Sequence, residues 1–202
     1  MNGLDQFGEA DTGTVFRDTI MLALAGFVSV VVLLLPHINP KAKEADQVGD
    51  KAPGNVIVEV QWADGLDADV DLWVRAPGDR PVGYSNKAGE IFNLLRDDLG
   101  KPLDVTNLNY EVAYTRGTPA GDYVVNLHLY RALATTLPVN VQVVTSLRAT
   151  AQGDSQPLVT TTVPLFKVGQ ELTAIRFRLD DKGRLVPGSV NSLYKPLRSA
   201  GS

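Results

Sequence analysis

Residues 19–35 read TIMLALAGFVSVVVLLL, and this stretch decides the first part of the fold. Its seventeen residues carry no charge, and only Thr19, Gly26 and Ser29 are not plainly apolar. A helix over residues 16–38 rises about 1.5 Å per residue and reaches about 34 Å, enough to cross a hydrocarbon core about 30 Å thick. The stretch therefore predicts a single N-terminal transmembrane helix over residues 16–38.

The main alternative for this stretch is a cleaved signal peptide. Such a peptide has a basic segment before the apolar run and small residues at a cleavage site. Residues 1–15 instead carry Asp5, Glu9 and Asp11 with no Lys or Arg, and the apolar run ends at Pro36. We therefore expect an uncleaved anchor that is preceded by a short polar tail over residues 1–15.

Beyond the helix, residues 39–54 mix proline, glycine and charge without apolar periodicity, which is typical of a linker. From residue 55 the apolar period changes to two, and seven short runs are rich in Val, Thr and aromatic residues. The runs are VIVEVQW, VDLWVRA, YEVAYT, YVVNLHLY, VNVQVVTSL, LVTTTVPLF and LTAIRFRL. They predict an all-β domain, an antiparallel β-sandwich over residues 55–186, followed by a tail over residues 187–202.

The run at residues 123–130 shows the alternation most clearly. One face carries Tyr123, Val125, Leu127 and Leu129, and the other carries Val124, Asn126, His128 and Tyr130. We expect the first face in the core and the second in water or in an interface.

Composition and motifs exclude several classes of function. The 202 residues carry a net charge of -4 with no basic run, so nucleic acid is not an expected partner. The absence of cysteine removes disulfides, thiolate nucleophiles and Cys-ligated zinc. No catalytic motif such as G-x-S-x-G, H-E-x-x-H or a Walker A loop is present, so we expect no enzyme.

Asp18 stands directly before the uncharged run, inside the predicted helix. A carboxylate costs about 2.5 to 3.5 kcal/mol at the centre of a membrane and less near an interface, so it should face protein or water. Asp18, Leu22, Ala25 and Ser29 recur at helical spacing and form one face, here called the Asp18 stripe. Either Asp18 lies just outside the membrane, helped by the helix dipole, or the Asp18 stripe faces another helix.

The segment VFRDTIMLALAGFVSVVVLLLP resembles the transmembrane segment of the ExbD/TolR family and, more distantly, that of the flagellar stator protein MotB. The matching positions are Phe16, Asp18, the run at residues 20–35, and Pro36. This resemblance implies that Asp18 is the ion-carrying carboxylate and that the Asp18 stripe faces a channel. It also implies a homodimer inside a pentamer of a polytopic MotA/ExbB/TolQ-like subunit, in which proton flow drives rotation.

The same resemblance implies a bacterial inner-membrane protein with a cytoplasmic N-terminus and a periplasmic β-sandwich. Three lysines follow the helix within residues 41–51 while only Arg17 precedes it, which by the positive-inside rule favours the reverse orientation. A second resemblance is to type IV pilin-like proteins, in which a Gly precedes the helix and an acid follows five positions later. Gly13 and Asp18 have that spacing.

Residues 62–79 read WADGLDADVDLWVRAPGD and hold four acids within eight positions. On a strand, Asp69 and Asp71 point to the same side, and two carboxylates so close repel each other unless a cation lies between them. A Ca²⁺ ion is one candidate, and Asp97 and Asp98 would supply further oxygen ligands. The alternative is that these acids bind loop amides or arginine side chains.

The segments DADVDLWVRAPG, VGYSNK, RDDLG and AGDYVVNLHLY resemble the YfaP-like β-sandwich domain of exported bacterial proteins. This resemblance implies a fold more than an activity. Taken together, the resemblances imply the B-type subunit of an inner-membrane, ion-driven rotary motor or stator complex. The alternatives are a membrane-anchored β-sandwich that binds a partner or calcium, and a pilin-like minor subunit without ion transport.

Overall fold

The computed structural model describes residues 8–38, 52–98, 108–133, 137–148 and 153–198. The chain forms two units, residues 1–46 and 47–202. The elements are α1 (Gly8–Ile38), β1 (Val56–Trp62), β2 (Ala68–Arg75), β3 (Phe92–Arg96), β4 (Tyr110–Thr115), β5 (Gly121–Ala132), β6 (Val139–Leu147), β7 (Gln156–Leu165) and β8 (Glu171–Leu179).

The first unit contains α1, a continuous helix of 31 residues. Its section Gly13–Leu34 is long and apolar enough to cross a membrane. The prediction of a polar tail over residues 1–15 is wrong from Gly8 onward, because the helix begins there and not at Phe16. A nucleated helix is extended at little cost, and acidic residues in its first turn are favoured by the helix dipole.

The second unit is the β domain, here called the head, and it begins before residue 55. Ala52 is buried against Ile57 and Val112. Gly54 has a φ of 96°, and a Cβ there would collide with the carbonyl oxygen of Thr115. The end of the predicted linker, residues 39–54, therefore belongs to the head, while residues 39–51 lie outside the described residues.

The head is an antiparallel β-sandwich of two sheets, with strand orders β3-β4-β1-β6-β7 and β2-β5-β8. Each of the seven predicted runs forms a strand, so the predicted fold class is confirmed. The remaining strand, β3, was not predicted because it has only five residues and is followed at once by two acids. It pairs with β4 at the edge of the larger sheet.

The core lies between the two sheets and is made of alternating residues from each strand. On β5, Tyr123, Val125, Leu127 and Leu129 all face it, as the alternation predicted. The Tyr123 ring stacks on Phe177 with ring centroids 5.0 Å apart.

The outer face of β5 is covered by the end of the chain. Leu197 is fully buried against Trp73 and Val124, and the carbonyl of Lys195 accepts a hydrogen bond from Asn126 Nδ2 at 2.8 Å. The prediction of a separate tail over residues 187–202 is therefore wrong up to residue 198, because this segment supplies the apolar cover and the hydrogen-bond acceptors that the outer face needs.

Candidate functional site

The acidic strand β2 lies at an edge of the three-stranded sheet and pairs with β5 on one side. Val70 and Leu72 pack in the core. Asp69 and Asp71 lie outside that core but are also buried, with exposed fractions of 7% and 5%. A buried carboxylate is stable only with hydrogen-bond donors, a proton or a cation beside it. The residues around Asp69 and Asp71 must therefore supply one of these.

Three carboxylates from different parts of the head meet at this edge. Asp71 on β2, Asp97 just after β3 and Glu111 on β4 each place a carboxylate oxygen within 4.8 Å of the other two. We call these three residues the carboxylate cluster. The fold brings them together because β4, although it belongs to the other sheet, packs against β2.

Glu111 is the fully buried member of the carboxylate cluster. Its Oε2 accepts the backbone N–H of Leu72 at 2.7 Å, and its Oε1 accepts the backbone N–H of Asp98 at 3.1 Å. Burial raises the pKa of Glu111 well above its usual range, and the neighbouring charges of Asp71 and Asp97 raise it further. Glu111 thus fixes the β2 edge to the loop after β3 at a high electrostatic cost.

Asp71 is held by a histidine on the neighbouring strand. His128 lies opposite Asp71 in the β2–β5 register, and its Nδ1 is 2.7 Å from Asp71 Oδ2. Burial raises the pKa of Asp71, while the hydrogen bond and charge of His128 act in the opposite direction. A proton on His128 Nδ1 lets the ring donate this hydrogen bond to the Asp71 carboxylate.

The other predicted ligands lie around the carboxylate cluster. Asp97 pairs with Lys87 Nζ at 2.8 Å. Asp98 accepts the backbone N–H of Tyr110 at 3.2 Å and lies 3.8 Å from Arg96, so it is part of a local ion pair.

Asp69 is the fourth member of the predicted calcium set. Burial raises its pKa to about 7, and the charge of Asp71 raises it further while Arg131 lowers it. The predicted set of Asp69, Asp71, Asp97 and Asp98 therefore forms one acidic region of the head, but of these only Asp71 and Asp97 belong to the carboxylate cluster.

Glu111 was missed at the sequence level, although the pattern YEVAYT contains a signal for it. Glu111 lies opposite Val60 and shares its face with Ala113, which packs in the core. A carboxylate at an inward position of an otherwise apolar strand face is expensive, and such a residue points to a specific role.

On the helix, Asp18 lies ten residues after the first residue of α1. It is also inside the membrane-length section Gly13–Leu34. Its Oδ1 is 3.8 Å from Arg17 Nε, and both side chains are exposed on the isolated helix. Because the helix dipole acts only within the first turn, it does not stabilise Asp18 here.

The rest of the Asp18 stripe is exposed on the helix surface. The hydroxyl of Ser29 donates to the carbonyl of Ala25 at 2.8 Å, so Ser29 is satisfied within the helix. Thr19 does the same toward Val15 at 2.8 Å. These bonds leave Asp18 as the costliest group on this face in an apolar environment.

Comparison with known proteins identifies no relative: no family model, curated protein or solved structure matches the chain.

Proposed function

We propose that this chain is a B-type subunit of an inner-membrane, ion-driven motor complex, in which Asp18 carries the ion and the head transmits the work. The proposal rests chiefly on one observation, that Asp18 lies inside an unbroken apolar helix. It also draws on the resemblance of residues 15–36 to ExbD/TolR and MotB segments.

The position of Asp18 is what favours a role in transport. It is five residues inside the section Gly13–Leu34, or about 7.5 Å along the axis at about 1.5 Å per residue. Acids at such positions in membrane helices are rare, face a protein interior or a water-filled cavity, and mark ion pathways or proton relays. A carboxylate can take up and release a proton there without any other chemistry.

A single helix does not enclose an ion pathway, so this function needs a partner. We propose a polytopic MotA/ExbB/TolQ-like subunit, as a pentamer around a homodimer of this chain. The small residues of the Asp18 stripe allow a neighbouring helix to approach closely. In this arrangement the N-terminus is cytoplasmic, the head is periplasmic, and the chain is not an enzyme.

The decisive experiment is Asp18→Asn in the native cells. The amide is nearly isosteric but cannot carry a proton, so partner copurification should persist while proton uptake, followed with a cytoplasmic pH reporter, falls to background. Asp18→Glu should retain part of the uptake, and Asp154→Asn in the head, which makes the same chemical change at an exposed site, should retain all of it. Full proton uptake by Asp18→Asn would refute the motor function and favour a plain anchor or a pilin-like subunit.

A second candidate function is calcium binding by the head, favoured by the convergence of Asp71, Asp97 and Glu111 within 4.8 Å. Carboxylate oxygens are the ligands that Ca²⁺ prefers, and it takes six to eight oxygens at about 2.3–2.6 Å. Both Glu111 oxygens accept backbone amides, yet each carboxylate oxygen has a second lone pair for a metal. The cluster thus fits part of a calcium shell, and backbone carbonyls or waters would have to complete it.

Thermal melts of the purified chain test this second function. A site with Ca²⁺ at a hundred times its Kd adds about 2.7 kcal/mol to the free energy of unfolding, which raises the melting temperature. Asp97→Asn should abolish that shift, whereas Asp154→Asn should leave it intact. An unchanged wild-type melt in millimolar Ca²⁺ would mean that the cluster holds protons and hydrogen bonds only.

A further inference from the structure

Two of the four sheet edges of the head are closed by other segments of the chain. At the β2 edge, Val74 exchanges two backbone hydrogen bonds with Val82, at 2.9 and 2.8 Å. At the β8 edge, Arg176 and Asn191 exchange two more, at 2.7 and 2.9 Å. An open edge is a template for pairing with another chain, and such cover prevents it.

The third edge is covered in the same way, but β7 is different. On the β3 edge, Leu94 donates its backbone N–H to the carbonyl of Lys87 at 2.8 Å. Within the described parts of the head, β7 (Gln156–Leu165) pairs with β6 alone. It is thus the one edge strand for which the structure shows no covering segment among those residues.

The composition of β7 does not protect this edge at its centre. The strand QPLVTTTVPL has no charged residue, and its two prolines, Pro157 and Pro164, lie near its ends. Between them Thr160 and Thr162 are exposed, while Thr161 between them is half-buried. Charged side chains, prolines and bulges are the usual protection of an exposed edge, and none of them lies within the β-branched run at residues 159–163, which indicates an edge that pairs.

The sequence of this run also suits pairing with a second copy of itself. Residues 159–163 read VTTTV and are symmetric about Thr161. In an antiparallel pair of two such strands, Thr161 faces Thr161 of the other copy, each Thr160 faces Thr162, and each Val159 faces Val163. A two-fold axis makes every contact occur twice, with residue i opposite j and j opposite i, and in this register each opposed pair consists of two residues of the same type.

We propose that the head dimerises by antiparallel pairing of β7 with β7 of a second copy of this chain, centred on Thr161. Two five-stranded sheets then join into one continuous sheet. Facing threonines and valines are favourable cross-strand pairs, so the joined edge is stabilised by side chains as well as backbone hydrogen bonds. In naming the surface through which the two copies meet, the inference deepens the homodimer of the proposed function and rests on it to that extent.

Disulfide cross-linking tests the register directly, because the chain has no cysteine of its own. Directly opposed residues in an antiparallel pair have Cα atoms about 4.5–5.5 Å apart, within the disulfide range of about 4.4–6.8 Å. With oxidant in native membranes, Thr161→Cys should therefore move from 21.8 kDa to twice that mass on a non-reducing gel.

The matched control is the neighbouring position. In the proposed register two Thr160 residues lie two positions apart along the strands, about 8 Å between Cα atoms and beyond disulfide reach. Thr160→Cys should therefore stay at the monomer mass. Equal cross-linking of both variants would overturn the proposal. No cross-link with Thr161→Cys would overturn it as well, and this is the result expected if β7 pairs with a different protein.

A charge exchange adds a second, independent test on the Thr161→Cys background. Thr160→Lys with Thr162→Lys places lysines opposite each other and should abolish the cross-link. Thr160→Lys with Thr162→Glu places a lysine opposite a glutamate and should preserve it. Both positions are exposed, so the two variants differ in pairing and not in folding. Equal cross-linking of the two would refute the register.

The cross-linking assay tests the edge pairing and the transport assay tests the motor function, so a negative result in one does not imply a negative result in the other. Asp18→Asn should leave the Thr161→Cys cross-link unchanged, because the edge pairing involves no residue of the helix. A chain that cross-links through Thr161→Cys but shows no dependence on Asp18 is a dimer without motor function. A chain that depends on Asp18 but does not cross-link dimerises elsewhere.

Discussion

Glu111→Ala should destabilise the head more than any other removal of a single carboxylate from the acidic region. The substitution leaves the buried N–H groups of Leu72 and Asp98 without their acceptors, which lie at 2.7 and 3.1 Å. Each unsatisfied buried donor costs about 1–3 kcal/mol, so the free energy of unfolding should fall by about 2–6 kcal/mol when Glu111 is protonated. Glu111→Gln should fall between the wild type and Glu111→Ala, because its amide oxygen replaces only one acceptor.

The size of this loss should depend on pH. The folded-state pKa of Glu111 is raised, so its stabilising contribution is complete at low pH and is lost as pH rises through that pKa. At high pH the wild type carries charges at Asp71, Asp97 and Glu111 together. One such pair within 4.8 Å repels by on the order of 3 kcal/mol at an effective dielectric constant of about 20. The difference between wild type and Glu111→Ala should therefore shrink as pH rises.

Urea unfolding followed by tryptophan fluorescence measures this loss in the full-length chain. Both tryptophans, Trp62 and Trp73, are buried in the head, so the signal reports on the head alone. Glu90→Ala makes the same substitution at an exposed site of the head and should change stability by no more than about 0.5 kcal/mol. A Glu111→Ala head as stable as Glu90→Ala at pH 6 would refute the role of Glu111 as the acceptor that closes the β2 edge.

Three further predictions concern the same domain. The pKa of Asp69 is about 7 in the folded head against 3.8 in the unfolded chain, so without calcium its contribution to stability should be lost as pH rises from about 4 to about 7. The urea midpoint of Asp69→Asn should therefore fall less than that of the wild type over the same pH range. If the carboxylate cluster binds Ca²⁺, the melting shift should be larger at pH 8 than at pH 5, because protons compete with the metal; a shift that does not depend on pH would place the ion elsewhere. Leu197→Ala should cost about 2–5 kcal/mol, whereas Leu193→Ala, which is 69% exposed, should cost almost nothing, and equal costs would show that residues 187–198 do not stabilise the head.

Much of the fold could be predicted from the sequence because it depends on local periodicity. The period-two run at residues 123–130 places Tyr123 and Leu127 in the core, as alternation requires. The packing of residues 187–198 against the head could not be predicted, because this segment has no periodicity of its own. Its order comes from single contacts such as Leu197 against Trp73, and these arise only when the outer face of the sheet exists.

The acidic site could be predicted only in part, for a related reason. Asp69 and Asp71 are neighbours on one strand, so their repulsion follows from strand geometry alone. The approach of Glu111 depends on the corner between β2 and β4, which belong to different sheets. No local pattern encodes that meeting, although a glutamate at an inward position opposite Val60 was a visible departure from the apolar pattern.

Either a proton or a bound cation would reduce the repulsion among the three carboxylates of the cluster. Burial raises the pKa values of Asp71 and Glu111, which means that the folded chain favours keeping a proton among these groups. A protonated Glu111 still accepts the N–H groups of Leu72 and Asp98 and gains a proton to donate to a neighbouring carboxylate, so the β2 edge is satisfied without a metal. If the cluster binds a divalent cation, as proposed above, the cation removes the same repulsion by displacing that proton. Protons and the cation then compete for the same oxygens, so pH and cation concentration together would set the state of the cluster.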